Sequence, residues 1–428
     1  MKSIWKMFLY KIKRPFHFIR TGLLRGLVGQ IKYKFPARKL KIIAITGTDG
    51  KTTSSTLLYH ILKKAGKKTA LISTVAAYIG AEEISTGLHV TSPDPLALHK
   101  LIKKMVDSNV EYLVLEVTSH GAYQFRSWGI HPILAGLTNI DHEHLDYHLT
   151  PTEYLKAKTL ILNKAKKVII NADNHNYQLL KSNLKQTPEN IISYKATDKL
   201  PQKISKAISA RFSEKYNQMN ARLVYALALE LSIDHRKIST AFSNFPNIPG
   251  RMQEIEANKS FRILVDFAHT PQGIKAALTA LKSQLTDEGK LIAVYGTAGL
   301  RDHLKRPLMG EIGAQIADLV IFTAEDPRTE DVWSIIRQLK ENLHQNLDKV
   351  LSIADRKEAI SFAINKLAKK NDIVVILGKG HEQSMCFGKI EYPWSDVKIV
   401  INLFSVLKVF IHIWMVKFQI CTNSNLWF

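Results

Sequence analysis

Two cysteines in 428 residues, Cys386 and Cys421, are too few and too far apart for a disulfide framework or a zinc pattern, which fits a reducing compartment. Acidic residues are missing where the chain begins: none precedes Asp49. Lys2, Lys6, Lys11, Lys13, Arg14, Arg20, Arg25, Lys32, Lys34, Arg38 and Lys39 crowd the same stretch. That stretch lacks the uninterrupted apolar run of a secretory signal. Internal repeats and low-complexity tracts are also absent. The formal net charge of +23 points to an anionic partner. No nucleic-acid-reading motif accompanies the charge, so nucleic acid is not the expected one. The basic arm carries Trp5, Met7, Phe8, Leu9, Phe16, Phe18 and Ile19 between its cations. It reads either as a segment lying on an anionic membrane face or as a helix packed on the main body with its lysines outward.

What is present is room for two or three domains, with 46% hydrophobic residues. The chain is organised around Lys41-Ile-Ile-Ala-Ile-Thr-Gly-Thr-Asp-Gly-Lys-Thr-Thr53. A β-branched run leads into a polar turn, and Leu57, Leu58, Ile61, Leu62 and Ala65 then follow at helical spacing. A glycine turn between strand and helix points backbone N–H groups outward at the positive helix end. Such a nest holds a polyphosphate, Lys51 can reach its terminal phosphates, and the Thr52 hydroxyl can serve magnesium. The spacing Gly-x-x-Gly-Lys-Thr is shorter than the strict phosphate-loop pattern. A simple helix cap is the weaker alternative.

From Lys41 to about Pro246, strands and helices alternate. Strands are expected at Lys68–Thr74, Glu111–Val117, Ile133–Ile140 and Lys167–Asn171, with helices at Asp94–Met105, Pro151–Asn163 and Asn217–Leu231. Residues 176–211 look less regular, and Phe245–Arg251 reads as a linker. A second unit places strands at Arg262–Phe267, Lys290–Tyr295, Leu319–Thr323, Lys349–Ile353 and Asp372–Leu377. Buried strands alternating with helices imply an α/β class: a central phosphate-loop parallel sheet, then a Rossmann-like domain. The expected divisions are the basic arm 1–39, an ATP-binding domain 40–248, a second domain 249–400 and an apolar tail 401–428. Ile399–Ile420 is long enough to span a bilayer, but Lys408 and Lys417 interrupt it. A last packed helix or a segment altered at the gene level is an equal reading.

Several polar groups stand at strand ends. Glu116 closes an apolar strand near the phosphate loop, a suitable place for a magnesium ligand. Asp141, His142, Glu143, His144, Asp146 and His148 form a dense cluster. Zinc fits its composition, but an oxygen-rich site beside a phosphate loop better suits magnesium. Asp266 and His269 follow the first strand of the second unit, and Arg301 and Asp302 the second. Glu325, Asp326 and Arg328 follow the third, with Lys379, His381 and Glu382 after the last. In such sheets ligands bind beyond the carboxyl ends of the strands. Taken singly, Lys158 would be a solvated helix lysine and Asn217 and Asn220 surface amides.

Taken together, these blocks resemble the Mur ligase family, the ATP-dependent amide ligases of peptidoglycan precursor synthesis, over roughly Leu24 to Asp396. The carrying blocks are Thr91-Ser-Pro-Asp-Pro95, Glu116-Val-Thr-Ser-His-Gly121, His144-Leu-Asp-Tyr-His148 and Asp266-Phe-Ala-His-Thr-Pro271. Arg306-Pro-Leu-Met309, Asp326-Pro-Arg328 and Gly378-Lys-Gly-His-Glu382 continue the match. Within the family the likeness is greatest to members that add the third residue of the muramoyl peptide. The resemblance implies that Gly47, Thr48, Asp49, Gly50, Lys51, Thr52 and Thr53 cradle ATP, with Asn217, Asn220 and Arg251 also on the nucleotide. Thr52, Glu116, His144 and a carbamylated Lys158 would hold magnesium. His269 joins Lys51, Glu116, His144 and Lys158 in the catalytic set. Thr91, Ser92, Thr118, Gln124 and Arg126 would hold the muramoyl dipeptide. Arg301, Asp326, Arg328, Gly378 and Glu382 would hold the incoming diamino acid.

The implied activity is cytoplasmic, ATP- and magnesium-dependent ligation of a diamino acid, meso-diaminopimelate, to the D-glutamate of a UDP-muramoyl-dipeptide or related precursor. Arg328 stands where diaminopimelate users keep their arginine, while Asp326 replaces the usual asparagine and adds negative charge. His142-Glu-His144 departs from the usual Arg-Asp-His. The resemblance also leads one to expect an N-terminal domain for the uridine nucleotide; the basic arm stands in its place. Two rivals are a folylpolyglutamate synthase-like ligase and a non-catalytic, membrane-associated binding protein descended from such ligases.

Overall fold

The run Lys41–Thr46 forms β1, which occupies an inner position of an eight-stranded sheet because nearly every side chain along it is apolar and buried. The computed structural model describes residues 18–80, 82–84, 93–141, 145–148, 150–257, 259–286 and 288–404. Thr91, Ser92 and His144, with the arm before Phe18 and the tail after Phe404, lie outside the described residues. Among the described residues no helix is long and apolar enough to cross a membrane. The chain divides into two compact units between Pro246 and Asn247.

In the first unit the remaining strands are β2 (Thr69–Ile72), β3 (Ala77–Ile79), β4 (Glu82–Ile84), β5 (Tyr112–Glu116), β6 (Leu134–Leu137), β7 (Lys167–Asn171) and β8 (Ile191–Tyr194). Their order is β4-β3-β2-β5-β1-β6-β7-β8, with every pairing parallel except β2–β3 and β3–β4. Ile45 pairs with Glu116 and Thr46 with Leu137, so the glycine turn leaves the sheet between the ends of β5 and β6. The main helices are α1 (Arg25–Lys32), α2 (Lys51–Lys64), α3 (Pro95–Asp107), α4 (Pro151–Leu162) and α5 (Lys215–Glu230). Asp94 caps α3 and Thr150 caps α4 through first-turn N–H groups. Ile42, Ala44, Leu113, Leu115, Ala135 and Leu137 form the centre of the core.

In the second unit β9 (Gln253–Glu254), β10 (Arg262–Asp266), β11 (Leu291–Tyr295), β12 (Leu319–Phe322), β13 (Val350–Ser352) and β14 (Ile373–Leu377) form a six-stranded sheet. The order is β13-β12-β11-β14-β10-β9, with β9 antiparallel at one edge. Helices α6 (Pro271–Lys282) and α7 (Lys305–Ile316) follow β10 and β11, and a hairpin joins β15 (Ser384–Phe387) to β16 (Ile390–Pro393). Fully buried Arg356 grips fully buried Asp396 through Nε–Oδ1 at 2.9 Å and Nη2–Oδ2 at 2.8 Å. Its Nη2 also donates to the Leu377 carbonyl at 2.8 Å, tying the helix over 396–404 to the end of β14.

The architecture is α/β, as the alternation implies. Three local expectations change. The strand expected over Ile133–Ile140 stops at Leu137, because Thr138 and Asn139 leave the sheet to bond the glycine turn. The irregular region 176–211 contains β8 and a helix at Gln202–Arg211. The antiparallel β3–β4 pair has no counterpart in the expected pattern: each strand has three residues, and β4 is mostly charged.

Candidate active site

The turn Gly47–Gly50 is held from three sides. Gly50 has φ of +77° as the N-cap of α2, a backbone open to glycine at little cost. Its missing Cβ also matters, since one built there would lie 2.2 Å from Asn220 Oδ1 on α5. Asn139 Oδ1 accepts the N–H groups of Thr48 (3.1 Å) and Asp49 (2.9 Å). Thr138 Oγ1 donates to the Asp49 carbonyl at 2.6 Å. The Thr48 hydroxyl lies 2.9 Å from Tyr154 OH and accepts the Asp141 N–H at 3.0 Å. With the Thr48 and Asp49 amides bound to Asn139, an anion at the turn would meet the first-turn N–H groups of α2, which have no acceptor within the helix.

Glu116 is 1% exposed at the end of β5 and collects three donors. Thr52 Oγ1 lies 3.1–3.2 Å from both its carboxylate oxygens, while Thr74 reaches it through Oγ1 at 2.7 Å and through its N–H at 3.0 Å. Such a set of hard oxygens beside a phosphate turn suits magnesium. Lys51 Nζ donates to the Thr48 carbonyl at 2.6 Å, so it lies folded over the turn. Lys158 on α4 is no solvated lysine. It is 1% exposed, its Nζ is 2.5 Å from the Gly47 carbonyl, and it stands 4.5 Å from the centre of the Tyr154 ring.

Thr52, Glu116, Lys158 and Asn220 thus gather at one turn. Asn217 joins through a 3.4 Å bond from Asn220 Nδ2. Thr53 lies on the same first turn of α2. Nearby, Gln124 Nε2 donates to Tyr147 OH at 2.7 Å and Arg126 Nε to Gln124 Oε1 at 2.8 Å. Burial lowers the Arg126 pKa against the pull of Tyr147 and Asp94, a setting in which an anion would be welcome. Thr118 caps a short helix by accepting the Gly121 N–H at 3.0 Å. His148 packs among the rings of His120, Tyr123, Tyr147 and Tyr154. Among the described residues no His, Cys, Asp and Glu cluster fit for a metal is present; His142, Glu143 and His144 lie outside them.

In the second unit the polar groups collect beyond the carboxyl ends of β10, β12 and β14. Asp266 accepts the N–H groups of Met252 (2.7 Å) and Ala268 (2.8 Å), and burial pushes its pKa up against the nearby Arg251. The Arg251 guanidinium lies 4.5 Å over the Phe267 ring. His269 Nδ1 is 2.8 Å from the Phe267 carbonyl. Asp326 does not present its charge openly. Its Oδ1 accepts from fully buried Lys379 at 2.8 Å and from the Cys386 N–H at 3.0 Å. Burial works to lower the Lys379 pKa, but the Glu382 and Asp326 carboxylates outweigh it and keep the ammonium charged.

Arg328 Nη1 donates to the Gly299 carbonyl at 2.5 Å. Asp326 and Arg328 both take positive φ (41° and 53°), held by bonds from Gly299 N to Asp326 O and from Arg328 N to Cys386 O. Arg301 is exposed. Glu325, one of the polar groups expected beyond the third strand, carries a strongly perturbed carboxyl. Burial raises its pKa to about 7 despite Arg356, Lys305 and Lys379. Its Oε2 is buried with no hydrogen-bond partner among the described residues. A Cβ on Gly378 would come within 2.4 Å of that oxygen, so glycine there keeps the space beside it.

Residues 45–234 match the Mur ligase middle domain, and residues 250–380 match the Mur ligase glutamate ligase domain. The chain belongs to the Mur ligase family. A UDP-N-acetylmuramoyl-L-alanyl-D-glutamate–2,6-diaminopimelate ligase of Clostridium botulinum is 36% identical over 368 residues, 82% of this chain and 75% of the relative. That of Phocaeicola vulgatus is 34% identical over 408 residues, 91% of this chain and 84% of the relative. A solved structure of a ligase of the same description, 27% identical, aligns with a TM-score of 0.58 over 90% of this Mur ligase and 83% of that chain. A bifunctional folylpolyglutamate/dihydrofolate synthase from Yersinia pestis aligns with a TM-score of 0.64 over 90% of this chain and 93% of its own at 17% identity, a likeness of fold alone. Asn139 and Thr74 are the site residues that sequence reading passed over.

Proposed function

We propose that this Mur ligase joins meso-diaminopimelate to the D-glutamate of a UDP-muramoyl-L-alanyl-D-glutamate precursor, using ATP to form an acyl phosphate. The observation that supports the reading most is the junction of Thr52, Glu116 and Lys158 at the Gly47–Gly50 turn. A carboxylate is a poor electrophile, and phosphoryl transfer asks a protein mainly for positioning and charge neutralisation. The α2 N–H groups and Lys51 would hold the phosphates, Lys51 swinging away from the Thr48 carbonyl to do so. Thr52 and Glu116, with His144 and a carbamylated Lys158, would hold magnesium, which supplies charge neutralisation at the phosphates when bound. Gln124 and Arg126 are the described residues suited to the anionic muramoyl dipeptide. Substrate-dependent phosphate release, measured across muramoyl peptides and amino acids, tests the reading. No release with the muramoyl dipeptide and diaminopimelate together would refute it.

Glu325, Arg328 and Glu382 are the groups proposed to hold the amino acid. Ionised Glu325 would pair with an ammonium, and its protonated form would not. The KM for the amino acid is therefore expected to fall as pH rises through about 7. In Glu325→Gln that pH dependence should flatten. A wild-type KM that stays level across neutrality would remove Glu325 from the contact.

Arg328 is proposed to grip the distal carboxylate, which lysine lacks, through paired charge-assisted bonds. The opposition from Asp326 is weakened, since Lys379 pairs with it as well as with Glu382. Arg328→Ala should reduce the kcat/KM preference for meso-diaminopimelate over L-lysine by about 10- to 100-fold, the worth of one or two hydrogen bonds to a charged group. Faster turnover of lysine by the wild-type protein would overturn the specificity while leaving the ligase reading intact.

A further inference from the structure

The helical stretch from Ile19 to Lys32 has two unlike faces. Gly22, Gly26 and Gly29 recur at i, i+4 and i+7 and lie against the body of the first unit. A Cβ on Gly22 would fall 1.9 Å from the Gln124 carbonyl oxygen, one on Gly26 2.9 Å from Trp128 Cβ, and one on Gly29 3.0 Å from His99 Cδ2. Arg25 adds an ion pair to Asp94 at 3.2 Å. The helix is therefore clamped close by its glycine face.

About half a turn away, Leu24, Leu27, Val28 and Ile31 recur at i, i+3, i+4 and i+7 on the outward face. Their exposures are 47%, 41%, 55% and 61%, high for four adjoining aliphatic side chains. Arg20 and Lys32 are exposed at the two ends of this stripe, followed by exposed Lys34, Arg38 and Lys39. No acidic residue occurs anywhere in the first 48 positions. The residues before Phe18 continue the same composition, with Lys2, Lys6, Lys11, Lys13 and Arg14 among Trp5, Phe8 and Phe16.

We propose that the Leu24–Leu27–Val28–Ile31 face is a docking surface for an anionic phospholipid membrane, on which the first unit rests without crossing it. Aliphatic side chains enter the acyl boundary while the flanking arginine and lysines stay at the headgroups. Charge separates this occupant from a second copy of the chain: a two-fold contact through the same face would set the cations Arg20, Lys32 and Lys34 of one copy against those of the other. An anionic surface satisfies both the stripe and the cations around it.

The test is sedimentation of the full-length chain with vesicles of phosphatidylcholine alone or of phosphatidylcholine with phosphatidylglycerol. Binding to the anionic vesicles, weakened by salt, is expected. It should be at least about tenfold weaker in the Leu27→Glu/Ile31→Glu variant, because two charges then sit where apolar groups enter the lipid. These exposed positions lie outside the proposed site, so the variant should keep its melting temperature and phosphate release. Failure to bind anionic vesicles, or equal binding by the variant, overturns the proposal. So does a lipid-independent dimer that the variant dissociates, which would assign the face to a second copy.

Discussion

Lys51→Ala and Glu116→Ala are each expected to cut substrate-dependent phosphate release by about 10³-fold or more, the scale of losing a preorganised group that neutralises transition-state charge. The two act differently. Lys51 makes one bond to its own turn, to the Thr48 carbonyl, so its removal should leave stability nearly unchanged. Glu116 is buried and accepts from Thr52 and from both donors of Thr74. Its removal strands those donors, and a loss of about 1–3 kcal/mol in stability should accompany the loss of rate. Phosphate release and thermal melting measured on both variants separate the effects. Near-normal turnover by either folded variant would sink the nucleotide role of this turn.

Lys158→Ala should be almost inactive, about 10²-fold or more below wild type, and a short-chain carboxylic acid should restore part of the activity. Lys158 is buried and joined to the Gly47 carbonyl, so a purely structural account predicts loss of activity as well. Rescue distinguishes the two. A carboxylate diffusing into the space left by the side chain can replace a carbamate, but it cannot replace an ammonium that donates to a carbonyl. Inactivity without rescue, together with lowered melting, would leave Lys158 as a brace for the turn and remove it from the metal set.

Much of the first sheet was legible because a buried parallel strand announces itself locally. Tyr112–Glu116 and Lys167–Asn171 are apolar runs bounded by polar turns, and Glu116 stands out as the charged residue that closes one. The glycine turn was legible for the same reason: strand, turn and helix are contiguous. Asn139 was not, because its meaning lies in bonds to residues 90 and 91 positions away. A single asparagine after a strand looks like any loop residue. Thr74 is likewise defined by a partner 42 positions distant. Glu325 was visible as a residue but not as a perturbed acid, since burial, with the Glu382 charge beside it, is what raises its pKa. Lys158 shows the converse. On sequence alone a lysine on a helix suggests water, and only the resemblance to the Mur ligases pointed inward, where the structure places it.

The strand order of the second sheet bears on how the protein is made. β14 lies between β10 and β11, yet it is the last of the parallel strands to be synthesised. From the completion of β11 until Leu377 has left the ribosome, about 80 residues later, β10 and β11 have no strand to join them and each presents an open edge. The Arg356 guanidinium, already made, still waits for Asp396. The second unit therefore closes from its middle, and late. A nascent chain stalled before that point exposes two apolar β edges, the state in which chaperone binding or aggregation decides the yield of enzyme.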